Sequence, residues 1–278
     1  MGMNVWWTVM VVIGAVNWVA ALFLFCRSFR WAKESPEYGG YITILRVCGL
    51  VFASVAAYRS VFVSSYPSRL AWFDTVLNSP MIIRSLATFA EMSFIGLIAV
   101  VLIRLNKEMG LTKKGVLALS PYVAVLFIFA GQFFAFGGLF WQSNLLFAIE
   151  EGLWGAAFLV IAPLVVVGLG KVRKAEGVHK SVKAFFIVMA VWCAGYLAFQ
   201  WGYAMPFIYI ADIAKDAGRV IPTDVLRTAL YDIVVTRDFD VWGGIGFFIW
   251  HSGYFSVCVW MSLFFMSAPR PRGKSVAR

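Results

Sequence analysis

The stretch MIIRSLATFAEMSFIGLIAVVLIR, residues 81–104, decides the fold of this 278-residue chain. It is apolar over a length that crosses the hydrocarbon core of a bilayer, which takes roughly 20 helical residues. Six further stretches have the same character, and short polar segments separate them. The sequence therefore predicts a single all-α domain of seven transmembrane helices, near residues 5–26, 41–63, 81–104, 116–136, 143–169, 182–210 and 243–267.

The amino-acid composition also indicates a polytopic membrane protein. Hydrophobic residues make up 62% of the chain and charged residues 14%, whereas about 25% of residues are charged in soluble domains. The formal net charge of +10 comes from lysines and arginines beside the apolar stretches, where anionic lipid headgroups attract them. We therefore expect the lipid bilayer to be the partner of these residues, and we exclude nucleic acid.

The distribution of the basic residues predicts the orientation of the chain. Every second loop and the C-terminal tail carry most of them: Arg27, Arg30, Lys33, Arg104, Lys107, Lys113, Lys114, Lys171, Arg173, Lys174, Lys180, Lys183, Arg270, Arg272, Lys274 and Arg278. The opposite loops hold Arg69, Lys215, Arg219, Arg227 and Arg237. Basic residues close to spans are retained in the cytoplasm. We expect the N-terminus outside and the C-terminus in the cytoplasm, in a bacterial inner membrane, because no organelle signal is recognisable.

Two loops on the predicted outer side contain apolar residues of their own. In residues 223–235 the apolar positions recur at helical spacing after Pro222 and the candidate N-cap Thr223. This pattern predicts an amphipathic helix lying on the outer face of the bundle. Residues 66–80 mix apolar and polar side chains and predict a second interfacial or re-entrant element. The two segments either cover a cavity or form a lid with nothing beneath it.

Polar side chains inside the spans are the candidates for function. An ionisable group there costs on the order of 2.5 to 3.5 kcal/mol and persists mainly where it has a role or a partner. Most of these groups fall in the predicted outer half of the spans, in one layer beneath the two outer loops. The candidate site residues are Arg59, Arg84, Glu91, Glu150, Glu151, Gln200 and His251, and Gln132 lies at the level of Gln200.

Helical spacing brings some of these side chains together. Arg84 and Glu91 lie seven residues apart and share a helix face. Glu150 and Glu151 point about 100° apart, so we expect one to meet an arginine and the other to reach a cavity. The layer is either a binding site or a set of ion pairs that fixes the helix register, with Arg59 and Arg84 paired to the carboxylates. A buried pair is costly to break in either case.

Several classes of site are excluded by what the spans contain. A retinal protein needs a lysine in the seventh span, where this chain has His251. A haem or metal centre needs several ligands, and the only other histidine is His179, on the opposite side of the membrane. The four cysteines, Cys26, Cys48, Cys193 and Cys258, form no CxxC pair. We predict no metal and no cofactor, and we assign no catalytic residue.

The deep tryptophans have two interpretations. Trp154, Trp192, Trp250 and Trp260 lie away from the predicted membrane boundaries, where an aromatic belt would be expected. They line a pocket for an apolar ligand such as an isoprenoid or quinone, or they pack against neighbouring helices.

The polar layer predicts membrane transport or permeation of a small solute or ion. In this interpretation Glu91, Glu150 and Glu151 bind a cation or titrate a proton, Arg59 and Arg84 are counter-charges or anchors for an anionic substrate, and Gln200 and His251 orient it. Carboxylates of this kind equally suit general acid catalysis. The alternatives are therefore an intramembrane enzyme acting on a lipid or isoprenoid, and a non-catalytic subunit or sensor. An oligomer or a larger membrane complex is compatible with any of the three.

Overall fold

The computed structural model of the protein describes residues 2–112 and 115–267. Within those ranges, seven helical segments are long and apolar enough to cross a membrane, which confirms the predicted number of spans. The segments are Met3–Glu34, Pro36–Val61, Pro80–Met109, Val116–Trp141, Asn144–Lys174, Lys180–Asp216 and Gly244–Met266. Several run past the predicted ends, because charged and aromatic residues continue the helices beyond the apolar stretch.

The first five spans each hold one long α-helix, whereas the sixth and seventh spans are composite. The α-helices are α1 (Met3–Glu34), α2 (Gly39–Val61), α3 (Pro80–Met109), α4 (Val116–Trp141), α5 (Asn144–Lys174), α6 (Lys180–Phe199), α7 (Ile210–Ile213), α8 (Val225–Tyr231), α9 (Gly244–Gly253) and α10 (Val259–Met266). A π-helix, Gln200–Tyr209, joins α6 to α7 in the sixth span. A second π-helix, Tyr254–Cys258, joins α9 to α10 in the seventh.

Alternation of the spans gives the bundle two different ends. The segments 62–79 and 217–243 lie at one end, which we call the loop end, together with the start of α1. At the opposite end, which we call the basic end, α1, α3 and α5 finish among basic residues such as Lys33, Lys107 and Lys171. Some basic residues that support the predicted orientation lie outside the described residues, namely Lys113, Lys114, Arg270, Arg272, Lys274 and Arg278.

The third span is the centre of the bundle. Of its most apolar window, 56% is buried, against 22% for the first span. Its start is fixed by Pro80 in the first turn and by Ser79, whose hydroxyl accepts a hydrogen bond from the Ile82 amide. Because α3 is surrounded by the other spans, its polar side chains face protein rather than lipid.

Glycines on α5 allow the sixth span to approach closely. A Cβ atom at Gly168 would lie 2.1 Å from Cε1 of Phe186, and one at Gly155 would lie 2.8 Å from the Trp201 ring. Small residues at such crossings are typical of membrane bundles, where packing replaces the hydrophobic effect between helices. The sixth span therefore packs its ring side chains directly onto the α5 backbone.

A small sheet joins the two long segments at the loop end, and the all-α prediction did not include it. Strand β1 (Ser64–Ser65) pairs antiparallel with β2 (Leu70–Ala71), and β2 pairs in parallel with β3 (Val234–Val235). The predicted helix over 223–235 was too long for this reason. It is helical only at α8, where Asp224 rather than Thr223 caps the N-terminus, and its last two residues enter the sheet instead.

Arg69 fastens the loop end to the bundle. Its Nη1 donates to the carbonyls of Thr228 and Asp232, and its Nη2 donates to the Leu139 carbonyl at 3.2 Å. The side chain is only 10% exposed. One guanidinium thus supplies a donor to the Leu139 carbonyl in the last turn of α4 and adds a donor to carbonyls at the end of α8.

Asp216 makes a second attachment, at the N-terminus of α5. Its carboxylate accepts hydrogen bonds from the amides of Asn144 and Leu145, at 3.0 and 3.2 Å, and from the Ser143 hydroxyl at 3.1 Å. Arg219 pairs with the same carboxylate at 2.9 Å. A negative charge at a helix N-terminus is favourable because it meets unpaired amides and the positive end of the helix dipole.

Replacing Arg69 should loosen the loop end. We expect Arg69→Gln to lower the free energy of unfolding by about 1 to 3 kcal/mol, because the buried Leu139 carbonyl loses its donor. Thermal unfolding of the purified protein measures this change. Arg227→Gln is the matched control, since Arg227 lies at the same end of the bundle, on α8, but is exposed. Equal melting temperatures for the two variants would show that Arg69 does not stabilise the attachment of the loop end to the bundle.

Candidate functional site: a buried charge cluster beside an aromatic cavity

Arg84 lies at the centre of a buried hydrogen-bonded cluster. Its Nη1 donates to Oε1 of Glu150 and its Nη2 to Oε2 of Glu91, both at 2.7 Å. The Gln132 side chain accepts from Nη2 at 2.5 Å and donates to the Glu91 carboxylate at 3.0 Å. Arg84 is 0% exposed, and these three partners are 2–6% exposed. The cluster joins α3, α4 and α5 through one guanidinium.

Tyr66 closes this cluster from the loop end. Its hydroxyl accepts a hydrogen bond from Arg84 Nη1 at 3.1 Å, and the guanidinium carbon lies 5.3 Å from the centre of its ring. Burial, followed by the charge of Glu150, raises the pKa of the Tyr66 hydroxyl, which therefore stays protonated. We call Tyr66, Arg84, Glu91, Gln132 and Glu150 the Arg84 cluster. Each of the four Nη hydrogens of Arg84 thus has an acceptor within the cluster. Arg84 therefore serves as the counter-charge of Glu91 and Glu150.

A cavity of about 590 Å³ lies beside the Arg84 cluster, among α3, α5 and the sixth and seventh spans. Most of its wall is aromatic or aliphatic, and it includes Phe94, Trp154, Phe158, Trp192, Phe199 and Trp250. Three of the four deep tryptophans therefore line a pocket. The fourth, Trp260, is 53% exposed and donates to Asn17 instead. The volume is in the range of about 300 to 1,000 Å³ that small-molecule sites occupy.

The two neighbouring glutamates face different surroundings, as their angular offset predicts. Glu150 is held by Arg84, whereas Glu151 lines the cavity. The Gln200 amide nitrogen donates to the Glu151 carbonyl at 2.9 Å and lies 3.5 Å from its carboxylate. No basic side chain pairs with Glu151 in the described parts of the chain. Glu91 belongs to both regions, because it binds Arg84 and also lines the cavity.

Both π-helices contribute to the cavity wall. Gln200 begins the first π-helix, and Tyr254, Val257 and Cys258 belong to the second. A π-helix is rare and usually short, and it often occurs at functional sites. The first extends over ten residues and contains Pro206, which cannot donate a backbone hydrogen bond. The irregular backbone of both composite spans therefore coincides with the cavity.

Arg59 and His251 lie apart from the Arg84 cluster. The Arg59 guanidinium carbon is 5.6 Å from the Tyr254 ring and 5.1 Å from the Phe255 ring. Across residues 2–112 and 115–267 it forms no ion pair, although the sequence allowed one. His251 is surrounded by rings, the nearest being Phe255 at 4.3 Å, and neither of its nitrogens has a hydrogen-bond partner among the described residues. Neither residue is on the cavity wall, and both pack against the Phe255 ring.

The structure thus divides the seven predicted site residues into three groups. Arg84, Glu91 and Glu150 form the charge cluster, Glu151 and Gln200 meet at the cavity, and Arg59 and His251 lie near Phe255. From the sequence, Gln132 was singled out only for its depth in the span, and Tyr66 was not singled out. A lone amide in an apolar span was the available signal for Gln132. No local pattern indicated that Tyr66 folds back over Arg84.

No family model, curated protein or solved structure matches the chain. Within the described residues, no group of three or more histidine, cysteine, aspartate or glutamate side chains could hold a metal ion. The site is therefore interpreted from its own geometry.

Removing the central cation should destabilise the fold strongly. Arg84→Gln leaves Glu91 and Glu150 buried without their counter-charge, which costs about 3 to 5 kcal/mol. We expect the Arg84→Gln, Glu150→Gln double variant to recover part of the loss, because one carboxylate is then neutral. Thermal unfolding in detergent measures both changes.

Arg46→Gln is the control for loss of an intramembrane arginine. Arg46 lies over the rings of Phe25 and Phe29 and forms no ion pair with a described residue. A melting temperature for Arg84→Gln equal to that of Arg46→Gln would contradict a central role for the cluster.

Proposed function

We propose that the protein is a membrane transport or permeation protein for a small solute or ion and that the aromatic cavity is its binding site. The observation that carries this proposal is the position of two carboxylates, Glu91 and Glu151, on the wall of a cavity inside the bundle. Carboxylates at that depth are costly. Those of the Arg84 cluster are offset by Arg84, whereas Glu151 has no cation beside it among the described residues.

The residues around the cavity have different roles in this proposal. Glu151 binds the cationic group of the solute or accepts its proton, and Gln200 holds Glu151 through its backbone and carboxylate oxygens. Glu91 contributes a second negative charge from α3. The Arg84 cluster keeps Glu91 in place and fixes α3, α4 and α5 as a rigid side of the site.

The movable side of the site consists of the sixth and seventh spans. Their π-helices interrupt the regular i to i−4 hydrogen bonding beside the cavity, and such interruptions are where helices bend. On the opposite side, hydrogen bonds of 2.5–2.7 Å connect α3 to α4 and α5. We infer that bending at the two π-helices opens and closes the cavity while α3, α4 and α5 stay fixed.

The orientation is part of the proposal. Basic residues collect at one end of the bundle, and we place that end in the cytoplasm of a bacterial cell, with the loop end outside. The N-terminus is then outside and the C-terminus inside. The small helix α8 and the sheet cover the outer end of the bundle, and Ala229 of α8 packs against Leu139 and Phe147.

A second candidate is an intramembrane enzyme acting on a lipid or isoprenoid. It is favoured by the aromatic lining, which suits an apolar substrate, and by Glu151, which would serve as the acid or base. The sealed Arg84 cluster, taken alone, favours the third candidate, a non-catalytic subunit or sensor. The Glu151 carboxylate lines the cavity and has no basic partner among the described residues, and for this reason we prefer transport to this third candidate.

Transport should depend on the two cavity carboxylates. In proteoliposomes on a solid-supported membrane, we expect the current evoked by a panel of small amines and organic cations to fall at least about tenfold in Glu151→Gln and Glu91→Gln, as for loss of a charge-assisted contact. Glu176→Gln is the matched control, because Glu176 is exposed at the basic end.

The outcome separates the candidate functions. Currents of wild-type size in Glu151→Gln would contradict the proposed site. Conversion of a lipid by the purified protein in detergent, with no current in sealed vesicles, would favour the enzyme.

The proposed orientation can be checked with fusion reporters. Green fluorescent protein fused after residue 176 should fluoresce and alkaline phosphatase there should be inactive, because that connection is placed in the cytoplasm. Fusions within 217–223 should give the reverse result. Active phosphatase after residue 176, together with fluorescence of fusions within 217–223, would overturn the orientation.

A further inference from the structure

The cavity has an opening on the lipid-facing side of the bundle. Four of its lining residues are also strongly exposed, with Ile187 at 50% and Val191 at 69% on α6, and Ile249 at 66% and Val257 at 40% on the seventh span. A side chain that both lines a cavity and is exposed lies on the rim of the cavity entrance. The entrance is therefore between the sixth and seventh spans.

Two glycines keep this entrance wide. Gly195 on α6 and Gly253 on α9 both line the cavity, and a Cβ atom built on either would find nothing within 4 Å. Nearer the basic end, Phe185 and Phe265 bring the two spans into contact, with ring centres 5.3 Å apart. The spans thus meet at one level and separate beside the cavity.

The rim and the interior have different chemistry. All four exposed rim side chains are aliphatic, and an aliphatic rim in a membrane-spanning segment faces hydrocarbon. Behind the rim the wall is aromatic, and its polar groups include Glu91 on α3, Glu151 on α5 and Gln200 at the start of the first π-helix. A molecule that fits both regions has an apolar body and one polar head.

The charges at the polar end select the kind of head. Glu151 has no basic partner among the described residues, and Glu91 shares Arg84 with Glu150. An anionic head would meet these carboxylates, whereas a cationic head would complement them. A small hydrated ion would lose its water against a mainly apolar wall, which is unfavourable.

We propose that the cavity takes up an amphiphile with a cationic head, such as a long-chain amine, directly from the bilayer through the opening between the sixth and seventh spans. This inference rests on the proposed function in that it concerns the same cavity. It adds the substrate class and the route of entry. The amine head lies at Glu151 and Glu91, and the alkyl chain lies along the aromatic wall toward the rim.

Tryptophan fluorescence in lipid nanodiscs tests this proposal, because Trp154, Trp192 and Trp250 line the cavity. The probe is terminally brominated dodecylamine, which quenches tryptophan on contact. Brominated dodecyl sulfate and brominated dodecanol have the same chain with an anionic and a neutral head. Empty-bilayer partitioning of each probe is measured separately, so that only the saturable part of the quenching is compared.

We expect saturable quenching by the amine and only linear, partition-dependent quenching by the sulfate and the alcohol. Gly195→Phe should fill the entrance and weaken amine binding at least about tenfold, and Glu151→Gln should weaken it by a similar factor. Gly246→Phe is the matched control, because Gly246 is exposed on α9, lies outside the cavity and has equal space for a side chain. Melting temperatures of the three variants confirm that each is folded.

Two results would overturn the proposal. One is equal quenching by all three probes, and the other is unchanged amine binding in Gly195→Phe. Failure of the lateral-entry proposal and failure of the transport proposal give different results. Currents from water-soluble cations without saturable amine quenching would overturn lateral entry and leave transport in place. Saturable amine binding without any current would support lateral entry and overturn transport.

Discussion

The ion pairs of Arg84 are the constraint on which the rest of this membrane domain depends. The Arg84 guanidinium is 0% exposed and donates hydrogen bonds to two carboxylates and one amide, which lie on α3, α4 and α5. It also donates to the hydroxyl of Tyr66, at the loop end. In a medium that excludes water, none of these groups can find a substitute partner, so the cluster fixes the rotation of α3, α4 and α5 together. The relative positions of Glu150 and Glu151 then follow. With Glu150 turned toward Arg84, the next residue must point about 100° away, toward the sixth span.

The same constraint distinguishes a hydrogen-bonded half of the bundle from the half formed by the sixth and seventh spans. In the first half, the Arg84 cluster joins α3 to α4 and α5, and Arg69 and Asp216 attach the loop end to α4 and α5. On the other side, the sixth and seventh spans contain π-helices and leave a gap with an aliphatic rim. The cavity lies at the boundary between the two halves. A ligand there would contact carboxylates of α3 and α5 and aromatic side chains of the sixth and seventh spans.

Sequence reasoning predicted the parts that depend on local periodicity and on the cost of burying charge. The spacing of Arg84 and Glu91 placed both on one face of α3, and the offset of Glu150 and Glu151 predicted that they would have different partners. It failed where distant segments decide the outcome. Val234 and Val235 enter a sheet because Leu70 and Ala71 lie beside them, and those strands are far apart in sequence. The π-helices and the position of Tyr66 over Arg84 also depend on tertiary packing, which no window of residues contains. An ion pair of Arg59 with a carboxylate was one of the two alternatives for the polar layer, but the carboxylates nearest in depth are held by Arg84 or face the cavity.

Glu151 lines the cavity, whereas its neighbour Glu150 is 2% exposed and paired with Arg84. The most direct measurement is labelling of membranes with dicyclohexylcarbodiimide in mildly acidic buffer, followed by peptide mass spectrometry. This apolar reagent forms a stable N-acylurea with protonated carboxyl groups that it can reach within the bilayer. We expect label on Glu151 and none on Glu150, with protection of Glu151 by dodecylamine. Label on Glu150, or equal label on both residues, would contradict this difference between the two carboxylates.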